Sequence, residues 1–254
     1  MKEKILFACD LDNTLLVSHR IKSENDICAE VLEGKELSFL TPLSCKLIEE
    51  ITADENVILL PVTTRSAEQY KRIKFPDGCT PELALVCNGS ILLKNGIPDE
   101  NWYKTSQKLS NPYMDELKRL CTKYSEYDCF KTVRIVDDMF LFLHCHNRDE
   151  TESIAVECKK DTDILLEYAG SKIYLFPPAA NKGVGVRRFA ENYKCKSIIS
   201  AGDSPIDCSM LNIADIALVP DEKMLNAVKN ANTLICKDDI FSEFILRYVI
   251  EQIK

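Results

Sequence analysis

Four short polar segments hold the residues with the most chemistry to offer: Asp10-Leu11-Asp12-Asn13-Thr14, Thr63-Thr64-Arg65-Ser66, Lys182, and Gly202-Asp203-Ser204-Pro205-Ile206-Asp207. Singly, each has an ordinary explanation, because Asp and Ser cap helices, Gly turns the chain and a helical Lys is usually solvated. Brought together, they would put carboxylates, a hydroxyl and an ammonium into one pocket. Carboxylates a few ångströms apart repel by about 4 kcal/mol per pair at an effective dielectric of about 20, so Asp10, Asp12 and Asp203 need a compensating cation. An oxygen-only donor set suits Mg²⁺, which takes carboxylate or carbonyl ligands, waters and a phosphate oxygen, and which would screen a phosphate dianion from Asp10.

The elements around these segments predict that they do meet. In the first third, apolar and amphipathic runs alternate: a strand over Ile5 to Cys9, a helix over Pro42 to Ala53, a strand over Val57 to Val62, a helix over Ser66 to Ile73 and a strand over Leu83 to Cys87. The last third repeats the alternation, with helices over Lys182 to Tyr193, Ile206 to Ile213, Glu222 to Lys229 and Asp239 to Ile253, and strands over Ser197 to Ala201 and Ile216 to Val219. This is the order of a doubly wound parallel α/β sheet, in which ligands bind outside the carboxyl ends of the strands. Three of the four segments follow a core strand, and Lys182 opens a helix after Pro177-Pro178.

Residues 89–177 read differently, with a helix over Pro112 to Tyr127, strands over Phe130 to Val136 and Met139 to Cys145, a helix over Asp149 to Lys159, and strands over Ile164 to Tyr168 and Lys172 to Phe176. Adjacent strand pairs joined at Asp137-Asp138 and Ala169-Gly170 predict antiparallel hairpins. The expected organisation is thus a core of residues 1–88 and 178–254 with an inserted α+β domain over 89–177.

Composition narrows the class of partner. The 254 residues carry a net charge of −8 with scattered basic residues, which opposes nucleic-acid binding and favours a small soluble substrate. The apolar stretch ending at Cys9 is too short for a signal peptide or a membrane span. Twelve cysteines without a CxxC pair or an export signal predict reduced thiols acting as small hydrophobes in a cytoplasmic protein, Cys9 among them, on the strand face turned away from Asp10. Oligomeric state is not legible.

The four segments, in this order, resemble the haloacid dehalogenase superfamily, through its DxDxT, its second-motif Thr, its third-motif Lys and its GDxxxD. DLDNT and an insert between the second and third motifs are similar to the sucrose-phosphatase and phosphomannomutase branch, and Cys87-Asn88-Gly89 resembles the Asn-Gly that often precedes such caps. The resemblance implies a Rossmann-like core with a cap and a Mg²⁺-dependent phosphatase acting on a small phosphate ester, a sugar phosphate above all. It implies that Asp10 is the nucleophile and Asp12 the general acid and base, while Thr63 and Lys182 grip the phosphoryl group. Asp10, the Asp12 carbonyl and Asp203 would hold the metal, with Asp207 supporting the metal or orienting Lys182; Thr64, Arg65, Asn88 and Lys172 would meet substrate. The alternatives are a phosphomannomutase-like mutase and a catalytically silent phosphosugar-binding module.

Two positions depart from the family pattern: Thr64, where many relatives have Gly, and Ile206, where many have Asn. Other constellations carry less. His144-Cys145-His146 puts two imidazoles on one strand face but has no third ligand in view, and no Gly-x-Ser-x-Gly elbow accompanies the histidines. Gly183-Val184-Gly185 lacks the third glycine of a dinucleotide loop, and Gly34-Lys35 is followed by Glu36 where a phosphate loop needs Ser or Thr.

Overall fold

The computed structural model describes residues 4–76, 79–237 and 239–254. Residues 1–3, 77, 78 and 238 of the expected core lie outside the described residues. Among the described residues the central sheet has five strands, β1 (Lys4–Cys9), β5 (Val57–Pro61), β13 (Cys195–Ala201), β14 (Ile216–Val219) and β15 (Thr233–Ile235), in the order β15-β14-β13-β1-β5 and all parallel. The run from Ile5 to Cys9 is apolar at every position because both faces of the sheet are covered. Ile5, Phe7 and Cys9 pack with helices α1 (Pro42–Ala53) and α8 (Phe241–Ile253), while Leu6 and Ala8 pack with α5 (Lys182–Tyr193) and α6 (Cys208–Leu211). Full burial of Leu6 or Phe7 contributes roughly 2 kcal/mol each. Alternation also decides the chemistry, for Asp10 follows on the Leu6 and Ala8 side, where α5 begins, and Cys9 turns the other way.

Local signals explain the helix starts. Asn181 caps α5, its side chain accepting from the Val184 N–H at 2.9 Å, and Ser66 and Gln69 form a capping box on α2 (Ala67–Lys71). Gly183 lets α5 approach α6, because a Cβ there would lie 2.2 Å from the Ser209 carbonyl oxygen. The glycines of Gly183-Val184-Gly185 are therefore packing residues.

The segment between β1 and α1 forms a feature the sequence reading did not anticipate, a small antiparallel sheet of β2 (Val17–Ser18), β3 (Ile27–Leu32) and β4 (Lys35–Leu40). Its β3-β4 turn is Glu33-Gly34, both at positive φ. The strands escaped notice because register shifts flank Glu30 and disturb the two-residue period. A second antiparallel sheet joins β6 (Leu83–Val86), β7 (Ile91–Lys94) and β8 (Ile97–Pro98), with Val62 bridging to Leu85. Leu92 of β7 and Trp102 pack into the core cluster with α5, although both fall in the 89–177 stretch.

A four-stranded antiparallel sheet follows in the order β11-β12-β10-β9, built from β9 (Phe130–Val136), β10 (Phe140–Cys145), β11 (Leu165–Ala169) and β12 (Lys172–Phe176). Asp137 and Asp138 turn β9 into β10 at φ 46° and 53°, as the hairpin reading expects. One face of the sheet packs on α3 (Glu100–Ser125) and α4 (Thr151–Lys159) through Leu141, Leu143, Ile173 and Leu175. Helix α3 is longer than the expected Pro112 to Tyr127. It starts at Asp99, which caps Trp102, and runs through Pro112. Its buried stripe over the first turns is Trp102, Ser106 and Ser110, too polar to announce a helix, whereas Pro112 reads as a natural first residue.

Candidate active site

The parallel ladder continues past Cys9, with the Val62 N–H donating to the Cys9 carbonyl at 2.7 Å and the Asp10 N–H to the Ala201 carbonyl at 2.9 Å. These bonds carry Asp10, Thr63 and the Gly202 loop to the same edge of the sheet. Lys182 reaches that edge from the first turn of α5. Its Nζ donates to Asp10 Oδ1 and, at 2.6 Å, to Asp207 Oδ1, with all three side chains buried. Asp207 Oδ2 accepts from the Asp203 and Ser204 N–H groups and the Ser204 hydroxyl, at 3.1, 2.9 and 2.9 Å. Asp207 thus orients Lys182 and pins its own loop. Gly202 makes room for it, since a Cβ there would lie 2.4 Å from the Asp207 Cβ. The Thr14 hydroxyl closes the ring by donating to Asp203 Oδ1 at 3.2 Å.

Oxygen atoms of Asp10, Asp203 and Asp207 lie within 4.8 Å of one another, and no other such group of His, Cys, Asp or Glu side chains occurs among the described residues. The His144-Cys145-His146 segment joins no such group; His144 Nε2 pairs with the Ser171 hydroxyl at 3.0 Å. Three carboxylates face one ammonium. Burial, reinforced by Asp207, pushes Asp203 up to about 7 despite Lys182 and Thr14. Burial likewise drives Asp10 well above the usual carboxylate range, only partly offset by Lys182. Lys182 is itself held above its ordinary value, because the two carboxylates outweigh its burial. Carboxylates that resist ionisation in an oxygen-only cluster fit a hard divalent cation such as Mg²⁺.

This electrostatics sets a pH dependence for the metal-free protein. A carboxyl whose folded pKa lies above its unfolded value stabilises the fold below the unfolded pKa and loses that contribution as pH rises through the folded one. For Asp203 that window runs from about 4 to about 7. In EDTA, Tm is expected to be lower at pH 8 than at pH 5.5 by about 5 °C or more, and Mg²⁺ to raise it more at pH 8 than at pH 5.5. A Tm flat with pH and indifferent to Mg²⁺, in a calorimetric scan, would contradict the cluster's role.

Asp12 stands apart. Its side chain is 45% exposed, and both oxygens accept from Arg65, Oδ2 from Nε at 2.8 Å and Oδ1 from Nη2 at 2.6 Å. Desolvation by the protein packed around the loop would raise Asp12 even at this exposure, but the Arg65 hydrogen bonds and charge outweigh it and hold Asp12 below the usual range. Arg65 is thus brought to Asp12 and to Glu30. Thr63 is buried, its hydroxyl oxygen accepting from the Arg65 N–H at 3.2 Å. Asn88 is also buried, its amide donating to the Ala180 carbonyl at 2.9 Å and so bracing the loop before α5. Ile206 belongs to the apolar core.

The β9–β12 sheet turns its other face toward these residues. Arg134, Phe142, Tyr174 and Glu167 form one cross-strand row, and Thr132, His144, Lys172 and Ala169 the next. The Tyr174 phenol is pushed up to about 12 by burial, with the Thr64 side chain working against that shift. Lys172 is exposed, and its charge contributes to holding Asp12 low. Glu167 is raised to about 7 by burial and by Asp207. Glu30, Glu167 and Tyr174 are the site residues that sequence reasoning missed; for the first two the available signal was a lone carboxylate inside an otherwise apolar strand.

A doubly wound α/β core with acidic and basic side chains gathered at its strand exits, and a second sheet turned toward them, defines an α/β enzyme. The chain belongs to the haloacid dehalogenase-like hydrolase family, whose profile matches residues 84–239, more than half of its length. No curated protein matches it. Among solved structures it is similar to the sucrose-phosphatase of Synechocystis sp. PCC6803, solved with sucrose and phosphate, at 12% identity over 98% of both chains and a TM-score of 0.66. A haloacid dehalogenase-like hydrolase from B. subtilis is 16% identical over 96% of this chain and 99% of its own, with a TM-score of 0.62. A trehalose-6-phosphate phosphatase from Aspergillus fumigatus is 12% identical over 98% and 93%, with a TM-score of 0.57. At these identities the likeness is one of fold. Among the described residues no helix is long and apolar enough to cross a membrane.

Proposed function

We propose that this hydrolase is a Mg²⁺-dependent phosphatase that cleaves a small phosphomonoester, in the first instance a sugar phosphate, through a phosphoryl group carried on Asp10. The observation that carries the reading is the convergence of Asp10, Lys182, Asp203 and Asp207 at the ends of β1 and β13. Asp10, Asp203 and the Asp12 carbonyl, with Asp207 behind them, would hold the cation, which when bound would supply positive charge to the carboxylates and to the phosphoryl oxygens. Lys182 orients Asp10, whose carboxylate attacks phosphorus as the ester P–O bond breaks. Lys182 and the Thr63 hydroxyl donate to the phosphoryl oxygens, most of catalysis being position and charge. Asp12, which Arg65 keeps ionised in the free protein, takes up the proton that a monoanionic ester brings with it, gives it to the departing oxygen, then takes one from the water that attacks the aspartyl phosphate and releases inorganic phosphate.

Residues 89–177 act in this reading as a cap over a core of 1–88 and 178–254. Lys172, Arg134 and Tyr174 face the part of the substrate that does not react, so the cap selects the ester and the core performs the chemistry. The names of the similar structures, sucrose-phosphatase and trehalose-6-phosphate phosphatase, support trying sugar phosphates first. Buried thiols at Cys9, Cys45, Cys79, Cys87, Cys145 and Cys158 support a reducing, cytoplasmic setting. The test is phosphate release from sugar, nucleotide and cofactor monophosphates with Mg²⁺ and without a bisphosphate activator. Release is expected, and Lys172→Met is expected to reorder the sugar esters by about tenfold in kcat/KM while sparing a small aryl phosphate. Turnover only with a bisphosphate present would make the protein a mutase, and a uniform loss in Lys172→Met would make the insert structural.

A further inference from the structure

Glu30 is a carboxylate whose side chain is 1% exposed, on a surface sheet where a charged residue would ordinarily point to water. Strand alternation predicts that outward direction, because Ala29 beside it is buried in the core cluster. Instead β3 carries register shifts on both sides of Glu30, and Ala29 and Glu30 are buried in succession. A bulge of this kind re-aims one side chain at a cost to the ladder. What Glu30 gains is a set of charge-assisted partners: Oε2 accepts from Arg65 Nη2 at 2.8 Å and from the Ser38 hydroxyl at 3.2 Å, and Oε1 from Arg72 Nε at 3.1 Å.

Anchoring the β2–β4 sheet to the end of α2 would need only Arg72 and Ser38. The Arg65 arm does something further. The same Nη2 that donates to Glu30 donates to Asp12 Oδ1, and Nε of that guanidinium holds Asp12 Oδ2. A planar guanidinium gripped at one edge by Glu30 has little freedom to rotate, so the direction in which it presents Asp12 is set from β3. Asp12 sits on a loop whose Asn13 is at φ 61°, and its side chain is nearly half exposed, so it has few other constraints.

We propose that Glu30 is a positioning residue for the proton transfer, fixing through Arg65 the orientation of the Asp12 carboxylate toward the ester oxygen. This rests on the general acid role of Asp12 argued above. A group that acts through the acid matters most when the leaving oxygen is poor, whereas a group that merely stabilises the fold affects all esters alike. The experiment compares kcat and KM on an alkyl and an aryl phosphate for the wild type, Glu30→Gln, Glu30→Asp, Arg72→Gln and Asp12→Asn. Glu30→Gln, which keeps the shape and loses the charge, is expected to lower kcat on the alkyl ester at least tenfold more than on the aryl ester, with KM changed less than threefold. Glu30→Asp, which keeps the charge but draws the oxygens back by one methylene, is expected to do the same and stands in should the first variant fold poorly. Arg72→Gln, which loosens the surface sheet without touching Arg65, is expected to leave the alkyl-to-aryl ratio unchanged. An unchanged ratio in Asp12→Asn would overturn the acid role and the proposal with it. A ratio changed in Asp12→Asn but unchanged in both Glu30 variants, or changed equally by Arg72→Gln, would overturn the proposal alone.

Discussion

Replacing Asp10 by asparagine is expected to lower turnover on every phosphate ester by on the order of 10⁴-fold or more, the scale seen when a covalent nucleophile is removed. The fold should survive. Asp10 sits in a pocket where three carboxylates share one ammonium, and losing one charge relieves repulsion while Lys182 keeps its 2.6 Å partner Asp207. The metal-free variant is therefore expected to match or exceed the wild type in Tm at pH 8, where the uncompensated charge is greatest. A rapid-quench search for protein-bound ³²P from a labelled substrate should find it in the wild type and not in the variant. Substantial turnover by purified Asp10→Asn would end the covalent mechanism, and a large fall in Tm would mean that Asp10 is a structural member of the ion network.

The parallel core was legible because strands buried on both faces advertise themselves as unbroken apolar runs, and Ile5 to Cys9 and Ile216 to Val219 are of that kind. The segments that follow them were legible for the same reason, and the structure gathers Asp10, Lys182, Asp203 and Asp207 as strand-exit geometry demands. What was not legible depends on bulges and long-range pairs. The β2–β4 sheet leaves Ile27, Val31 and Leu32 exposed and buries Glu30, the reverse of what a hydrophobic pattern reports. No rule of local spacing links Glu30 to Arg65, 35 residues on. The three-residue β15 falls below the length at which alternation can be read, and the serine stripe of α3 conceals its first three turns.

Lys182→Met is expected to reduce kcat/KM on all esters together, by about 10² to 10³-fold, because the ammonium would contact only the phosphoryl group that every substrate shares. Its effect on stability should be as large. Lys182 is fully enclosed between Asp10 and Asp207, and removing one member of a buried ion network costs on the order of 3–5 kcal/mol, or about 10 °C in Tm for a chain of this size. The pH dependence identifies the cause. In the wild type Lys182 is held above its ordinary value, so its contribution is complete below about 10.5 and is lost only above that. In the variant Asp10, already above the usual carboxylate range through burial, loses the Lys182 charge that partly offsets it and rises further, so it stabilises the fold only while protonated and the deficit grows as pH climbs from about 5 to 8. A mere packing defect would give a deficit independent of pH. Mg²⁺ adds a second discrimination, since it supplies positive charge to the same carboxylates and should return part of the lost Tm at pH 8 without returning turnover. If Tm in EDTA falls equally at pH 5.5 and pH 8, the coupling of Lys182 to Asp10 and Asp207 does not govern stability; if the activity loss differs tenfold between a sugar phosphate and an aryl phosphate, Lys182 reads the leaving group and not the phosphoryl oxygens.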